Sequence, residues 1–358
     1  MPKGVMWRQD DLYVRFSQSV MHDPEQPDLE AVRARVAAAA PLVGLPACPL
    51  MHGTGAFTSF QTFFMGGSVA TLTSRHFDVT QLLDTIERER VNTMAIVGDA
   101  FARPMLAELD ANPEHWDISS LLMIVSSGVM LSEPVKQGLL RHHPGMLLVD
   151  AFSSSEALGM GQSISSAGGA AKTAKFVLGE NARVFTDDGR DVQPGSGEMG
   201  RVAVRGRAPV GYYKDPEKSA RTFPVIDGER YSMPGDYATV EPDGTLKLLG
   251  RGSVCINTGG EKVYPEEVEE ALKEHAAVRD AVVVGVADER FGEVIVAWVE
   301  SSGTGDVDEA DVIAHVKGRL ASYKAPRRVL TTETIGRSPA GKVDYGRLRK
   351  EATQRIGS

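Results

Sequence analysis

From residue 79 to residue 152 the sequence switches repeatedly between a helical and an extended periodicity, and few architectures accept that alternation. VTQLLDTIERER sets Val79, Leu82, Leu83 and Ile86 at i, i+3, i+4 and i+7, which is one face of a helix. The apolar run from Thr93 to Val97 predicts a strand, AFARPMLAEL resumes helical character, and LLMIV at 121–125 reads as a buried strand. SEPVKQGLLRHH starts a further helix with Ser132 as a good N-cap, and MLLVDAF at 146–152 is strand again. Strands alternating with helices predict parallel βαβ units, with both faces of the sheet covered. Ligands of such sheets sit at the carboxyl ends of the strands. That rule selects two small polar loops, SSGVM after Val125 and SSSEALG after Phe152.

After about residue 168 the texture changes to GGAAKTAKF, TDDGRD, PGSGEMG and EPDGTL, with short alternating runs such as RVAVRG between them. Turn signals at that density predict small antiparallel β structure. Beyond Arg251 come a turn-rich hairpin, the charged helix PEEVEEALKEH, the strand-like DAVVVGV and VIVAWVE, a helix near DVIAHVKGRLA and a basic tail. The expected fold class is α/β. A parallel βαβ sheet portion covers residues 1–168, and a small β-barrel-like subdomain over 169–252 completes a large domain of residues 1–252. A smaller α+β domain follows over 253–358, well within ordinary domain size.

The 358 residues, 42% hydrophobic and 24% charged, suffice for one large core or for two or three. A net charge of -9 disfavours nonspecific binding to nucleic acid or to an anionic membrane surface, which leaves small-molecule chemistry as the better starting point. Cys48 and Cys255 stand far apart and outside any CxxC spacing, so neither a disulfide framework nor a zinc site is indicated, and a reducing cytoplasm fits. No apolar run approaches the ~18 residues of a membrane span. The first residues carry Arg8, Asp10, Asp11 and Arg15 in place of a signal-type apolar stretch. A cytoplasmic chain without an integral membrane segment is expected, and a homodimer is compatible with it.

Taken singly, the polar motifs are weak, because Pro-Lys-Gly, His-Gly and Gly-Asp are common in loops. Their order is the signal: MPKGV at 1, PLMHGTG at 49, SSGVMLS at 126, DAFSSSE at 150, GEMGRVAVRG at 197, YSMPGD at 231, GRGSVCINTGGEKVYPEEVE at 250, ASYKAP at 321 and RSPAGKVDYGRLR at 337. Over essentially its whole length the chain resembles the adenylate-forming superfamily of acyl-CoA synthetases, peptide-synthetase adenylation domains and firefly-type luciferases. PKGVMWR and INTGGEKVYPEEVE resemble bacterial fatty-acyl or steroid-side-chain acyl-CoA synthetases. The resemblance implies that MPKGV is the tail of a phosphate loop, Lys3 included, whose Ser/Thr/Gly-rich front and preceding N-terminal portion lie outside this sequence. The implied fold is therefore incomplete at its N-terminus and ends in a mobile C-terminal domain.

The resemblance also implies an activity: a carboxylate and ATP give acyl-AMP and pyrophosphate, and CoA then gives acyl-CoA and AMP. The carboxylate must attack the α-phosphorus, so two anions have to be held within bonding reach while their charges are screened. Lys342 matches the lysine that bridges carboxylate and α-phosphate, and Glu156 the acid that holds Mg2+ against the phosphates beside the hydroxyl of Ser155. Phe152 falls where an aromatic ring meets adenine, with a core aromatic as the alternative, and Gly128 and Val129 fall on the opposite wall. Asp236 and Arg251 match the ribose-holding pair. His52 matches the histidine near the acyl carboxylate, with a satisfied structural histidine as the alternative. Phe57, Phe60, Phe63, Phe64 and Met65 are read mostly as core, with an apolar acyl pocket as the other reading.

Gly259 and Gly260 match the strand along which pantetheine slides, or form a plain hairpin turn. Ser253 occupies the hinge position. The chain departs from the family at Ser153 and Ser155 (usually Gly and Thr), Met130 (usually Pro), Pro234 (usually Thr) and Ser253-Val254 (usually a charged hinge). The expected partners are a hydrophobic carboxylic acid, ATP and CoA, with no nucleic acid. The competing readings are an enzyme that loads a carrier-protein thiol, a luciferase-like oxygenase, and an AMP-binding remnant.

Overall fold

The computed structural model describes residues 4–17, 29–129, 131–169, 175–303, 307–338 and 341–356. The chain divides into two compact units, the first comprising residues 1–234, 239–247 and 339–341, and the second residues 235–238, 248–338 and 342–358. Among the described residues no helix is long and apolar enough to cross a membrane.

In the first unit the predicted alternation folds into a parallel ladder. Its strands lie in the order Ser68–Val69, Val43–Pro46, Thr93–Ile96, Met123–Ser126 and Leu147–Phe152, with Gly44 opposite Thr93, Thr93 opposite Met123 and Met123 opposite Leu147. The helices Val79–Arg88, Asp99–Ala111 and Glu133–His142 connect them. Leu82, Leu83 and Ile86 are completely buried, as the helical spacing requires, and they pack with Met105, Ile124 and Leu148 in one core. Asp78 caps the first of these helices by accepting the Gln81 N–H at 3.1 Å.

Two local expectations shift. The strand expected at 121–125 begins at Met123, because the Leu121 N–H turns back to the Ile118 carbonyl and leaves Leu122 exposed. Ser132 stands at the N-cap of Glu133–His142, yet its side chain makes no cap bond. Its Oγ instead accepts the Arg103 guanidinium at 3.5 Å while its own N–H donates to Asp99 Oδ1 at 2.8 Å, so tertiary contacts stand where the local cap was expected.

Leu147–Phe152 pairs antiparallel with Gly161–Ser165, which pairs antiparallel in turn with Lys175–Leu178. The turn-rich portion is thus hydrogen-bonded in continuity with the parallel one. Val5–Met6 pairs antiparallel with Gly211–Tyr212, which ties the beginning of the chain to this portion. In the helix Gln9–Phe16, the buried Arg15 guanidinium donates to the carbonyls of Arg205 and Arg207.

The second unit is built on a long hairpin, Val278–Asp288 with Gly292–Ser301, in which Val282 faces Trp298. Ile256–Thr258, Glu261–Val263 and the parallel strand Arg328–Thr332 complete five strands among the described residues. Pro265–Lys273 and Glu309–Lys317 cover one face, with Val268 and Leu272 of the first helix packed in one core with Val283 and Ile295 of the strands. Tyr345–Ile356 covers the other, where Trp298 Nε1 donates to the Leu348 carbonyl at 3.1 Å. Burial on both faces is why these strands read as continuous apolar runs. Both cysteines are free thiols. Burial pushes the Cys48 thiol up to about 11, which leaves it unreactive near neutrality.

Candidate active site

The carboxyl ends of the parallel strands bring together residues from three loops. After Val43–Pro46 the chain enters the helix Gly53–Phe64, and His52 caps it by accepting the Thr54 N–H at Nδ1, 3.2 Å away. In a neutral ring that bond leaves the proton on Nε2. The ring lies against Gly128, where a methyl group would stand 3.1 Å from His52 Cε1. Gly128 has a φ of +95°, so both its conformation and its neighbour call for glycine. Thr54 Oγ1 donates to the Ser127 carbonyl at 3.4 Å, and Ser155 Oγ lies beside Gly53. His52, Gly128 and Ser155 therefore occupy one neighbourhood, with Val129 adjoining it in sequence.

Glu156 follows directly and is only 6% exposed. Its Oε1 accepts the hydroxyl proton of Tyr212 at 2.6 Å, and its backbone carbonyl accepts Ser232 Oγ at 2.5 Å. Trp7 Nε1 donates to the Ser155 carbonyl at 2.9 Å. Tyr212, Ser232 and Trp7 were not marked by the sequence. A buried tyrosine implies a polar partner, but nothing local names Glu156. Phe152 is buried, and its ring meets that of Phe176 with centroids 5.4 Å apart. Lys3 and Met130 lie outside the described residues.

The remaining site residues belong to the second unit. Asp236 is buried and accepts Arg251 Nε at 3.2 Å, so the two residues expected at a ribose form an ion pair. Glu266 sits behind them, its Oε1 3.4 Å from the Arg251 N–H and its Oε2 in the space that a side chain at Gly250 would fill. Burial pushes the Glu266 carboxyl up. Ser253 lies in the 3-10 turn Gly252–Val254. Gly259 and Gly260 close the hairpin between Ile256–Thr258 and Glu261–Val263, with φ of +60° and +89°. That is the two-residue turn in which both central positions need positive φ. A side chain at Gly260 would meet nothing within 4 Å, so the turn presents bare backbone to open space. Lys342 is exposed; its N–H donates to Ser338 Oγ at 3.1 Å, and its carbonyl accepts the Ser338 N–H at 2.8 Å.

Two family models match this chain: AMP-binding enzyme over residues 1–213 and AMP-binding enzyme C-terminal domain over residues 267–342. The chain belongs to the AMP-binding enzyme family. It is 43% identical to a medium/long-chain-fatty-acid--CoA/3-oxocholest-4-en-26-oate--CoA ligase of Mycolicibacterium smegmatis, across 99% of this chain and 65% of that protein. It is also 43% identical to a 3-oxocholest-4-en-26-oate--CoA ligase of Rhodococcus rhodochrous, across 98% and 64%. The chain thus spans less than two thirds of the length of these relatives. Among solved structures it is similar to the amide bond synthetase McbA from Marinactinospora thermotolerans, with a TM-score of 0.78, 26% identity, and coverage of 98% of this chain and 68% of that one. The fold is shared with o-succinylbenzoate CoA synthetase from Bacillus subtilis, with a TM-score of 0.74 at 23% identity, over 97% of this chain and 66% of that one.

Proposed function

We propose that this chain carries the nucleotide-handling and C-terminal parts of an ATP-dependent acyl-CoA ligase acting on a fatty or other hydrophobic carboxylic acid. In the first step a carboxylate oxygen attacks the α-phosphorus of ATP and pyrophosphate leaves. In the second the CoA thiol attacks the acyl carbon, loses its proton, and AMP leaves. The observation that carries the reading is Glu156, a buried carboxylate held by Tyr212 at the carboxyl ends of the parallel strands, next to Ser155 and the His52–Gly128 contact. The names of the relatives support the substrate class.

Among the described residues no cluster of three His, Cys, Asp or Glu side chains could hold a metal by itself. A lone carboxylate with a neighbouring hydroxyl fits Mg2+ that arrives with the phosphates and keeps water ligands. Glu156 would hold that ion, and its chemistry would be to screen the phosphate charge. The Asp236–Arg251 pair would take the ribose hydroxyls, and Gly259–Gly260 would pass the pantetheine arm. Lys342 would bring its ammonium to the carboxylate and α-phosphate. We place the reaction in the cytoplasm, where ATP and CoA are available.

ATP–pyrophosphate exchange with medium- and long-chain fatty acids and a steroid-side-chain acid tests the reading. Exchange should require the acid and should fall by about a hundredfold or more in Glu156→Gln. Exchange indifferent to that substitution would sink the assignment of Glu156. Because the chain spans 65% of its relative, AMP binding without turnover is the second reading, and binding with silent exchange would favour it.

A further inference from the structure

A buried ion pair lies beneath the two loops that the strand-end rule selects. Lys136 stands one turn into Glu133–His142, is 0% exposed, and its Nζ contacts Asp150 Oδ2. Lysine is almost never fully buried without a partner. Asp150 lies on Leu147–Phe152 and also accepts Ser163 Oγ at 3.4 Å. Burial pushes its carboxyl up, and the neighbouring ammonium pulls it back. The pair joins two elements that matter to the site: the helix begins just after the loop at 127–129, and the strand runs directly into the loop at 153–156.

Stability alone does not explain such a pair, because apolar residues of similar volume in its place are often neutral or stabilising. An ion pair adds direction, since it fixes one register between helix and strand where greasy contacts would accept several. The same layer carries further directional bonds. The Ser132 N–H donates to Asp99 Oδ1 at 2.8 Å, and the Gly98 N–H donates to Ser126 Oγ at 3.0 Å, so three consecutive strand-end loops are fastened to one another from below.

We propose that Lys136 is a positioning residue for the nucleotide: through Asp150 it holds the 127–129 and 153–156 loops in one fixed relation, so that Gly128 and Ser155–Glu156 meet the same ligand. The inference rests on the nucleotide reading of those loops. Neither Lys136 nor Ser163 belongs to the residues assigned above to the ligands, so the role is indirect.

The experiment is calorimetric titration of the full 358-residue chain with AMP, with thermal unfolding recorded alongside, for the unmodified protein, Lys136→Met, and Lys136→Met combined with Asp150→Asn. The single variant strands a buried carboxylate and should lose both melting temperature and affinity. The double variant removes the stranded charge, so its melting temperature should recover while its Kd for AMP stays about tenfold or more above that of the unmodified chain. Recovery of affinity together with melting temperature would show that the pair serves folding only, and would overturn the inference. Should the variants fail to fold, hydrogen exchange of the unmodified chain decides the matter. AMP should protect both loops and the helix 133–142 together, and protection confined to one loop overturns the coupling. An unmodified chain that binds no AMP defeats the nucleotide reading itself, and this inference with it, before any substitution is made.

Discussion

Glu156 and Glu269 are both buried carboxylates, and their surroundings give them different work. Glu156 accepts the Tyr212 hydroxyl, so Tyr212→Phe leaves a buried oxygen without that donor. The variant should unfold about 1–2 kcal/mol more easily in urea, and its affinity for magnesium-bound ATP should weaken more than its affinity for AMP, since Glu156 is assigned to the phosphate end. Equal weakening of both would detach Glu156 from the metal. Glu269 is held in the second unit, where it accepts the Val283 N–H at 2.9 Å and the Tyr345 hydroxyl at 3.4 Å. Burial, reinforced by the neighbouring Glu266 carboxylate, raises its carboxyl from the ordinary 4.5 to about 7, while the Lys273 ammonium opposes the rise. A folded-state value above the unfolded one means that the contribution to stability is complete below pH 4.5 and is lost as pH rises through 7. The loss amounts to about 3 kcal/mol. Glu269→Gln keeps an acceptor for Val283 and cannot ionise. Urea unfolding at pH 5 and pH 8.5 should show the variant gaining on the unmodified chain at the higher pH, and a pH-independent difference would refute the role of Glu269.

At the scale of elements, the informative unit is the hairpin closed by Gly259 and Gly260. Its two positive φ values are a local demand that Gly-Gly announces in the sequence, whereas the open space beside Gly260 is not. The two demands can be separated by Gly260→Asn. Asparagine tolerates φ of +89°, so stability should fall by less than about 1 kcal/mol, while its side chain enters the space that pantetheine would use. Thioester formation from a supplied acyl adenylate should drop and adenylation should not; an unimpaired thiolysis rate removes Gly260 from that path. The helix faces and strand-end loops were similarly legible. Leu82, Leu83 and Ile86 are buried where spacing puts them, and Gly128 and Ser155 lie where the carboxyl-end rule points. The Ser132 cap and the start of the 123–126 strand were not, because each is decided by a partner distant in sequence or by a turn that breaks an apolar run.

At the scale of the chain, two units have separate cores, and the residues proposed for the reaction are divided between them: Glu156 in the first, Lys342, Asp236 and Gly260 in the second. If the second unit serves the two half-reactions in different orientations, as the family reading implies, its residues should separate kinetically. Lys342→Ala should reduce ATP–pyrophosphate exchange far more than thioester formation from supplied adenylate, and equal losses would end that assignment. The sequence by itself determined the parallel ladder, the loops at its carboxyl ends, the Gly-Gly turn and the family. These follow from residue spacing and backbone conformation, which act over a few neighbours. Only the tertiary structure decided which buried polar groups meet: Tyr212 with Glu156 across 56 residues, Lys136 with Asp150, and Glu269 with the amide of Val283. Periodicity says that such groups face inward, but strand order and helix register choose the partner, and both are settled by packing of the entire unit.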